Sequence, residues 1–363
     1  MNNMIDLVKV KAHIICHGIL YSEVSKKLYN YQNPNDKHKQ GRYFGVMLTL
    51  GDKCSVLANV SDKNEKAKYM LAGDLKNLYL ADISGNKICD VTYTEPPKWY
   101  DKKTSTNKPS SDVFIDEGEN YLHMTYNGCD YFKCDLKCKF CGCMERENES
   151  TADEIAEVVG FADGERPYQV CLGGGAHLPL QNNSKFFINI IKKIRAKSKN
   201  IPVWVEMIPP TKTEIDELVK AGATSFGFNI EVFDKKLRKE ICPGKSAVQI
   251  EDYIERGKYA NELLGGNKIG STLICGIAPK RTIIKGIKVL SKNGIHPCIL
   301  AFRPTDTSEY ATKEECDDKL FYACSLKAAK QILKNGLDIF KNEGCLRCEY
   351  CTIIHDLIRQ IKG

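Results

Sequence analysis

From residue 121 onward the apolar positions follow two alternating patterns. Short apolar runs recur at 121–128 (YLHMTYNG), 168–174 (YQVCLGG), 203–208 (VWVEMI), 225–232 (SFGFNIEV), 268–276 (KIGSTLICG) and 297–302 (PCILAF). Between them, apolar residues spaced three and four apart predict helices over 152–161, 186–196, 213–222, 249–264 and 283–294. Strands alternating with helices imply a parallel sheet. Six such units predict an α/β fold of partial (βα)6 TIM-like barrel type, which places its chemistry in the loops at the C-terminal ends of the strands.

Upstream the pattern changes. The runs VKAHIIC, YFGVMLTL, SVLANV and LYLADI, with a Ser-Gly-Asn turn at 84–86, suggest a small module containing several strands. Nothing in it speaks to function. The stretch EPPKWYDKKTSTNKPSSD at 95–112 is rich in Pro, Lys, Ser and Thr and reads as a long loop or linker. The chain thus divides into an N-terminal module (1–110), a barrel (111–310) and a C-terminal helical extension (311–363).

The first twenty residues lack a basic region followed by a clean apolar stretch, so no signal peptide is read. No apolar run approaches the roughly 18 residues that span a bilayer, and the expectation is a cytoplasmic protein. The net charge of +7 is dispersed along helical segments such as KKIRAKSK at 192–199. Without a basic stripe interleaved with aromatics, this argues against nucleic acid as a partner.

Cysteine, at 17 residues, is the compositional outlier. In a reducing compartment closely spaced cysteines bind metal or do chemistry more often than they form disulfides. Cys16, Cys54, Cys89, Cys171, Cys275, Cys298 and Cys324 occur singly and read as small buried hydrophobes.

Two groups stand apart. After the first barrel strand, NGCDYFKCDLKCKFCGC gives Cys134, Cys138 and Cys141 in a C-x3-C-x2-C spacing, flanked by Cys129 and Cys143. Three thiolates on one loop can each take one iron of a [4Fe–4S] cubane and leave the fourth open. The competing reading is structural zinc, with Cys129 or Cys143 as a fourth ligand. Near the C-terminus, EGCLRCEYCTIIHD supplies Cys345, Cys348 and Cys351, with His355 four residues on. A second iron–sulfur cluster, a Cys3His zinc site and a redox-active or substrate-binding thiol group are all compatible with that spacing.

Other polar features fall at strand ends. Gly173, Gly174 and Gly175 close the second strand, either as a simple turn or as a place where backbone approaches a ligand. Glu206 ends the third and faces the barrel mouth. On the fourth, Asn229 and Glu231 stand two apart and so share one face, needing partners in a ligand or an internal salt bridge. Lys245, after a Pro-Gly turn, is an exposed lysine or reaches an anionic group.

CDLKCKFC resembles the signature of the radical S-adenosylmethionine superfamily. The resemblance implies a cluster that cleaves S-adenosylmethionine reductively, with Phe140 near the adenine and the 173–175 glycines near the methionine amino group. GFNIEVFDKKLRKEICPGKS resembles biotin synthase and its relatives, which implies cofactor contacts for Asn229 and Glu231; Glu206, in WVEMIPP at the end of the third strand, is expected to contact cofactor or substrate. By likeness to biotin and lipoyl synthases, the C-terminal cysteines imply a second cluster and sulfur insertion into an unactivated C–H bond. Their spacing here departs from those families. A one-electron reductant such as flavodoxin or ferredoxin is implied as partner. The alternatives are rearrangement or methylation with the second cluster anchoring substrate or passing electrons, a non-enzymatic electron carrier, and a zinc-stabilised RNA-modifying or RNA-binding protein.

Overall fold

The computed structural model describes residues 6–33, 45–52, 54–61, 64–118, 120–124, 128–143 and 149–363. The chain opens not on a strand but on helix α1 (Leu7–His17), which contains the VKAHIIC run. Short apolar runs do not by themselves separate a strand from a buried helix. Here Asp6 decides, its side chain accepting from the Val8 N–H at 3.2 Å as an N-cap, and Gly18 at φ +71° ends the helix. Strand β1 (Ile19–Leu20), helix α2 (Glu23–Gln32) and strands β2 (Gly45–Leu50), β3 (Cys54–Ser61), β4 (Tyr69–Gly73), β5 (Leu78–Asp82) and β6 (Lys87–Tyr93) follow. The six strands close into a barrel in the order β1-β3-β2-β6-β5-β4. Strand β4, YMLAG, is only five residues long, and Lys87 and Asp90 interrupt the apolar positions of β6, so neither is legible in the sequence pattern.

The 95–112 segment forms only short 3-10 turns, yet it is not a solvated linker. Trp99 is fully buried and its Nε1–H donates to the Tyr168 hydroxyl at 3.1 Å, while the Tyr100 hydroxyl accepts from the Asp116 N–H at 2.9 Å. Two adjacent aromatics anchor the polar stretch against the second sheet.

That sheet has seven strands in sequence order. The first, β7 (Phe114–Asp116), pairs antiparallel with β8 (Tyr121–Met124). From β8 the order runs in parallel through β9 (Gln169–Leu172), β10 (Val203–Glu206), β11 (Ser225–Gly227), β12 (Ile269–Cys275) and β13 (His296–Ala301). Helices α3 (Ala152–Ala162), α4 (Gln181–Lys197), α5 (Lys212–Ala221), α6 (Lys235–Ile241), α7 (Ile250–Leu263) and α8 (Lys280–Lys292) lie in the connections. Helices α9 (Asp318–Lys334) and α10 (Ile354–Lys362) complete the chain. The fold is therefore α/β, a partial (βα)6 barrel. Thr151 with Glu154 and Thr211 with Glu214 form capping boxes that start α3 and α5. Residues 125–127, read as the end of the first barrel strand, lie outside the described residues. Among the described residues no helix is long and apolar enough to cross a membrane.

One face of the sheet packs on helices in a large apolar core. The other lines a lumen. Register aligns His123 with Cys171, Cys171 with Trp204, Glu206 with Gly227, Gly227 with Gly270, and Thr272 with Cys298. Small residues make room there, since a Cβ on Gly227 would stand 2.5 Å from the Trp204 ring.

The C-terminal loop fills the floor of the lumen. Gly344 N–H donates to Gln169 Oε1 at 2.9 Å, and a Cβ on Gly270 would lie 2.0 Å from Leu346 Cδ1. The N-terminal barrel holds this loop from below: Leu57 N–H donates to the Tyr350 carbonyl at 3.0 Å. Buried Lys11 donates to Glu349 O at 2.8 Å and to Asp356 Oδ2 at 2.7 Å.

Candidate functional site

At the opposite end of the lumen, the loop carrying Cys134, Cys138 and Cys141 crosses the mouth, held by backbone from three directions. Asp130 N–H donates to Ala176 O at 2.9 Å, and Asp130 Oδ2 accepts from Leu178 N–H at 2.9 Å, tying the loop to the residues after β9. Gly244 N–H donates to Leu136 O at 3.0 Å, Lys139 N–H to Ile241 O at 2.9 Å, and Tyr131 hydroxyl to Gly244 O at 3.0 Å. From beyond β13, Tyr310 N–H donates to Lys139 O at 3.1 Å and Thr307 hydroxyl to Gly142 O at 2.8 Å. The loop's shape is thus set by strand-end loops.

Cys134 is exposed, and Cys138 and Cys141 are half-buried. Cys138 shares a hydrogen bond with the buried thiol of Cys242, which together with burial raises its pKa well above the ordinary thiol value. Burial pushes Cys141 up to about 11. Among the described residues, neither cysteine triplet brings its sulfurs within 4.8 Å of one another. Ligands of one zinc ion, at about 2.3 Å each, must converge more closely than that. Ligands of a cubane each take a different iron and need not converge on one point, and three thiols on one loop are a donor set that suits such a cluster. Phe140 packs, partly buried, against the main core.

The three glycines separate by cause. A Cβ on Gly175 would lie 2.2 Å from Cys129 Cβ and 2.5 Å from Cys129 Cα, so this glycine lets the cysteine loop pass. At Gly173 and Gly174 no atom approaches nearer than 3.6 Å, and packing alone does not demand glycine. Glu206 ends β10 in this neighbourhood, its Cβ 3.6 Å from where a Gly173 Cβ would be.

Asn229 and Glu231 do not share a face of a regular strand, because β11 ends at Gly227. Asn229 Oδ1 accepts from the Thr272 N–H at 3.0 Å, patching the ladder to β12. Glu231 adopts φ +66°, a left-handed conformation unusual for a residue with a Cβ, and its carboxylate meets Lys245 Nζ at 2.7 Å. Lys245 is thus no exposed lysine. Burial alone would lower its pKa, and Glu231 and then Cys138 outweigh that and hold it well above the ordinary value.

At the floor, Cys348 is buried and Cys345 and Cys351 are half-buried, in a cluster with Tyr121, Cys171, Trp204 and Cys298. Burial, then the Glu206 and Cys298 charges, raise the Cys345 thiol well above its ordinary value. His355 is fully buried against the edge of Phe340 and does not join the cysteines in a Cys3His group.

Several lumen groups were not legible as site residues. His123 lies on β8 with Nδ1 2.5 Å from Glu117 Oε2, and its Nε2 would be 3.8 Å from a Gly173 Cβ. Its two-residue offset from Tyr121 was the available signal. Cys171 and Cys298, isolated in sequence, are buried but belong to the floor cluster, and Cys242, with no spacing signal beside Lys245, shares a hydrogen bond with Cys138.

Residues 130–302 match the model of the Radical SAM superfamily. Among curated proteins, a bacteriochlorophyllide c C-7(1)-hydroxylase of Chlorobaculum limnaeum is 22% identical over 247 residues, which is 61% of each chain. The chain therefore spans about 61% of the length of that relative. Among solved structures, Streptococcus suis SuiB bound to its precursor peptide SuiA aligns at 18% identity over 65% of this chain and 51% of its own, with a TM-score of 0.47. A radical SAM methyltransferase from Sphaerobacter thermophilus aligns at 12% identity over 76% of both chains, also at 0.47.

Proposed function

From a chain that carries a radical SAM superfamily domain over residues 130–302, we propose an enzyme that cleaves S-adenosylmethionine at the barrel mouth and functionalises a C–H bond of a substrate in the lumen. Cys134, Cys138 and Cys141 hold the [4Fe–4S] cluster. Bound there, such a cluster would supply one-electron reduction of S-adenosylmethionine, whose carbon–sulfur bond would break to methionine and a 5′-deoxyadenosyl radical able to take a hydrogen atom from substrate.

The chain's own residues orient the reactants. Gly173 and Gly174 leave backbone open to the methionine end, Phe140 packs by the adenine, and Asn229, Glu231 and Glu206 bound the mouth. The Glu231–Lys245 pair fixes the wall beside Cys138 in one geometry, and the His123–Glu117 pair and Glu206 offer polar contacts to substrate deeper in the lumen. An electron arrives from a one-electron reductant such as flavodoxin or ferredoxin.

Cys345, Cys348 and Cys351 hold a second iron–sulfur cluster, and sulfur insertion is the reading for the second step, in the manner of biotin and lipoyl synthases. The observation that carries it is position: this triplet forms the floor of the same lumen whose mouth carries the first. The hydroxylase relative supports a second reading, C–H functionalisation without sulfur transfer, with the floor cluster anchoring substrate or passing electrons.

The test is anaerobic iron and sulfide quantification, with 5′-deoxyadenosine formation under chemical reduction. Wild type should hold about eight irons, and alanine replacement of either triplet should leave about four. Nucleoside formation should vanish only in the Cys134/Cys138/Cys141 variant. Wild type with about four irons, lost only in that variant, would remove the second cluster and sulfur donation. Absence of 5′-deoxyadenosine in wild type would sink the whole reading. Loss of cluster sulfide during turnover separates the two second steps.

A further inference from the structure

We propose that His13, His17 and Asp318, with Glu315 bonded to His17 beside them, form a binding site for one divalent transition-metal ion, zinc by ligand type, that clasps α1 onto the N-terminus of α9. The site lies outside both cysteine groups. Among the described residues this is where histidine and carboxylate ligand atoms converge within 4.8 Å of one another. Tetrahedral donors at about 2.0–2.2 Å from one zinc ion stand about 3.3–3.6 Å apart, so atoms already gathered within 4.8 Å need only small side-chain adjustments to close on an ion.

The placement follows from sequence spacing. His13 and His17 stand four apart on α1 and so share one face of the helix; their ring centroids are 4.6 Å apart. Asp318 is the first residue of α9, and Glu315 precedes it by three. His13 Nδ1 lies 2.6 Å from Asp318 Oδ2, and His17 Nδ1 lies 2.7 Å from Glu315 Oε1. Both imidazoles are nearly excluded from water, with side chains 5% and 7% exposed. Imidazole and carboxylate in such a set suit zinc and its neighbours.

Hydrogen-bond valence at His13 points the same way. Its Nδ1 faces the Asp318 carboxylate and its Nε2 faces the Lys66 carbonyl at 3.1 Å, so both nitrogens meet acceptors. A neutral imidazole has one N–H and satisfies only one of them. An ion bound by Nδ1 and the carboxylate leaves the Nε2–H for the carbonyl, the usual outer arrangement of a metal-bound histidine. Glu315 is oriented in the same way, since Asn64 Nδ2 donates to its Oε2 at 3.1 Å and to the His17 carbonyl at 2.7 Å.

The experiment is cobalt(II) titration of full-length protein whose iron–sulfur sites have been filled beforehand, read by visible absorption and metal analysis. We expect one cobalt per chain, with d–d bands and no thiolate charge-transfer band. Affinity should fall about 100-fold or more in His13→Gln/His17→Gln, and about 10-fold or more in Asp318→Asn, with iron content unchanged. Asp318→Asn keeps a hydrogen-bond acceptor for His13 and decides the matter if the double variant does not fold. Zinc should raise the melting temperature of wild type only. No uptake beyond the filled cluster sites, uptake unchanged in Asp318→Asn, or a spectrum dominated by thiolate charge transfer would each overturn the proposal. A buried imidazolium–carboxylate pair would then explain the contact.

Discussion

His296 and His355 carry a pH dependence that follows from burial alone. Both are fully buried. Burial depresses His296 to about 4, opposed by Asp338, and His355 to about 3, opposed first by Glu349. Below the ordinary histidine value of 6.5 the unfolded chain takes up protons that the folded chain refuses. The contribution is therefore fully present above pH 6.5 and lost as pH falls, by up to about 1.4 kcal/mol per pH unit for each group. His355→Phe should flatten the fall of melting temperature between pH 6.5 and 4 relative to wild type; an unchanged slope would show that His355 does not stay neutral. Cysteine roles at this scale were legible only where spacing was close. Cys134, Cys138 and Cys141 announce themselves within eight residues, whereas Cys171 and Cys298 lie on separate strands, β9 and β13, and join the C-terminal cysteines only in the folded cluster.

Among the elements, the loop after β9 separates a packing glycine from an open one. Gly175→Ala drives a Cβ into Cys129 and must displace the cysteine loop, so anaerobic reconstitution should yield well under about four irons at the mouth site. Gly173→Ala meets only ordinary contacts and should retain its iron, while S-adenosylmethionine binding weakens by about tenfold. Equal iron loss in both variants would contradict this assignment. The helix and strand pattern of the barrel was legible because each element repeats its period over enough residues. The irregular end of β11 was not, since period two gives no warning of a left-handed residue at Glu231. Nor was α1, whose helical state rests on its Asp6 and Gly18 caps.

Across the molecule, Lys11 links the first helix to the last loop. Its ammonium is fully buried between Glu349 O and Asp356, 338 and 345 residues away in sequence. Lys11→Met leaves the Asp356 carboxylate with only Arg359, 3.3 Å away, as a partner and should destabilise the protein by about 1–3 kcal/mol, read as a lower melting temperature. The Cys345–Cys351 loop should also become sensitive to protease, while the mouth cysteines keep their iron. If melting temperature and cleavage are unchanged, the N-terminal barrel does not secure the floor.

By itself the sequence determined what is local: six βα units, the C-x3-C-x2-C loop on the first of them, glycines at the next strand end, and a second cysteine group near the C-terminus. These are settled by periods of two to seven residues and by ligand spacing, both of which act over one or two turns of chain. Tertiary structure alone decided that the second group lies in the floor of the barrel, that Glu231 is met by Lys245, and that the polar 95–112 stretch is anchored by Trp99. It also decided that a six-stranded barrel closes the base and that His13 and His17 meet Asp318. Each of these joins residues far apart in the chain, and such pairings depend on strand order and on the burial of charge against a specific partner, which no window of sequence contains.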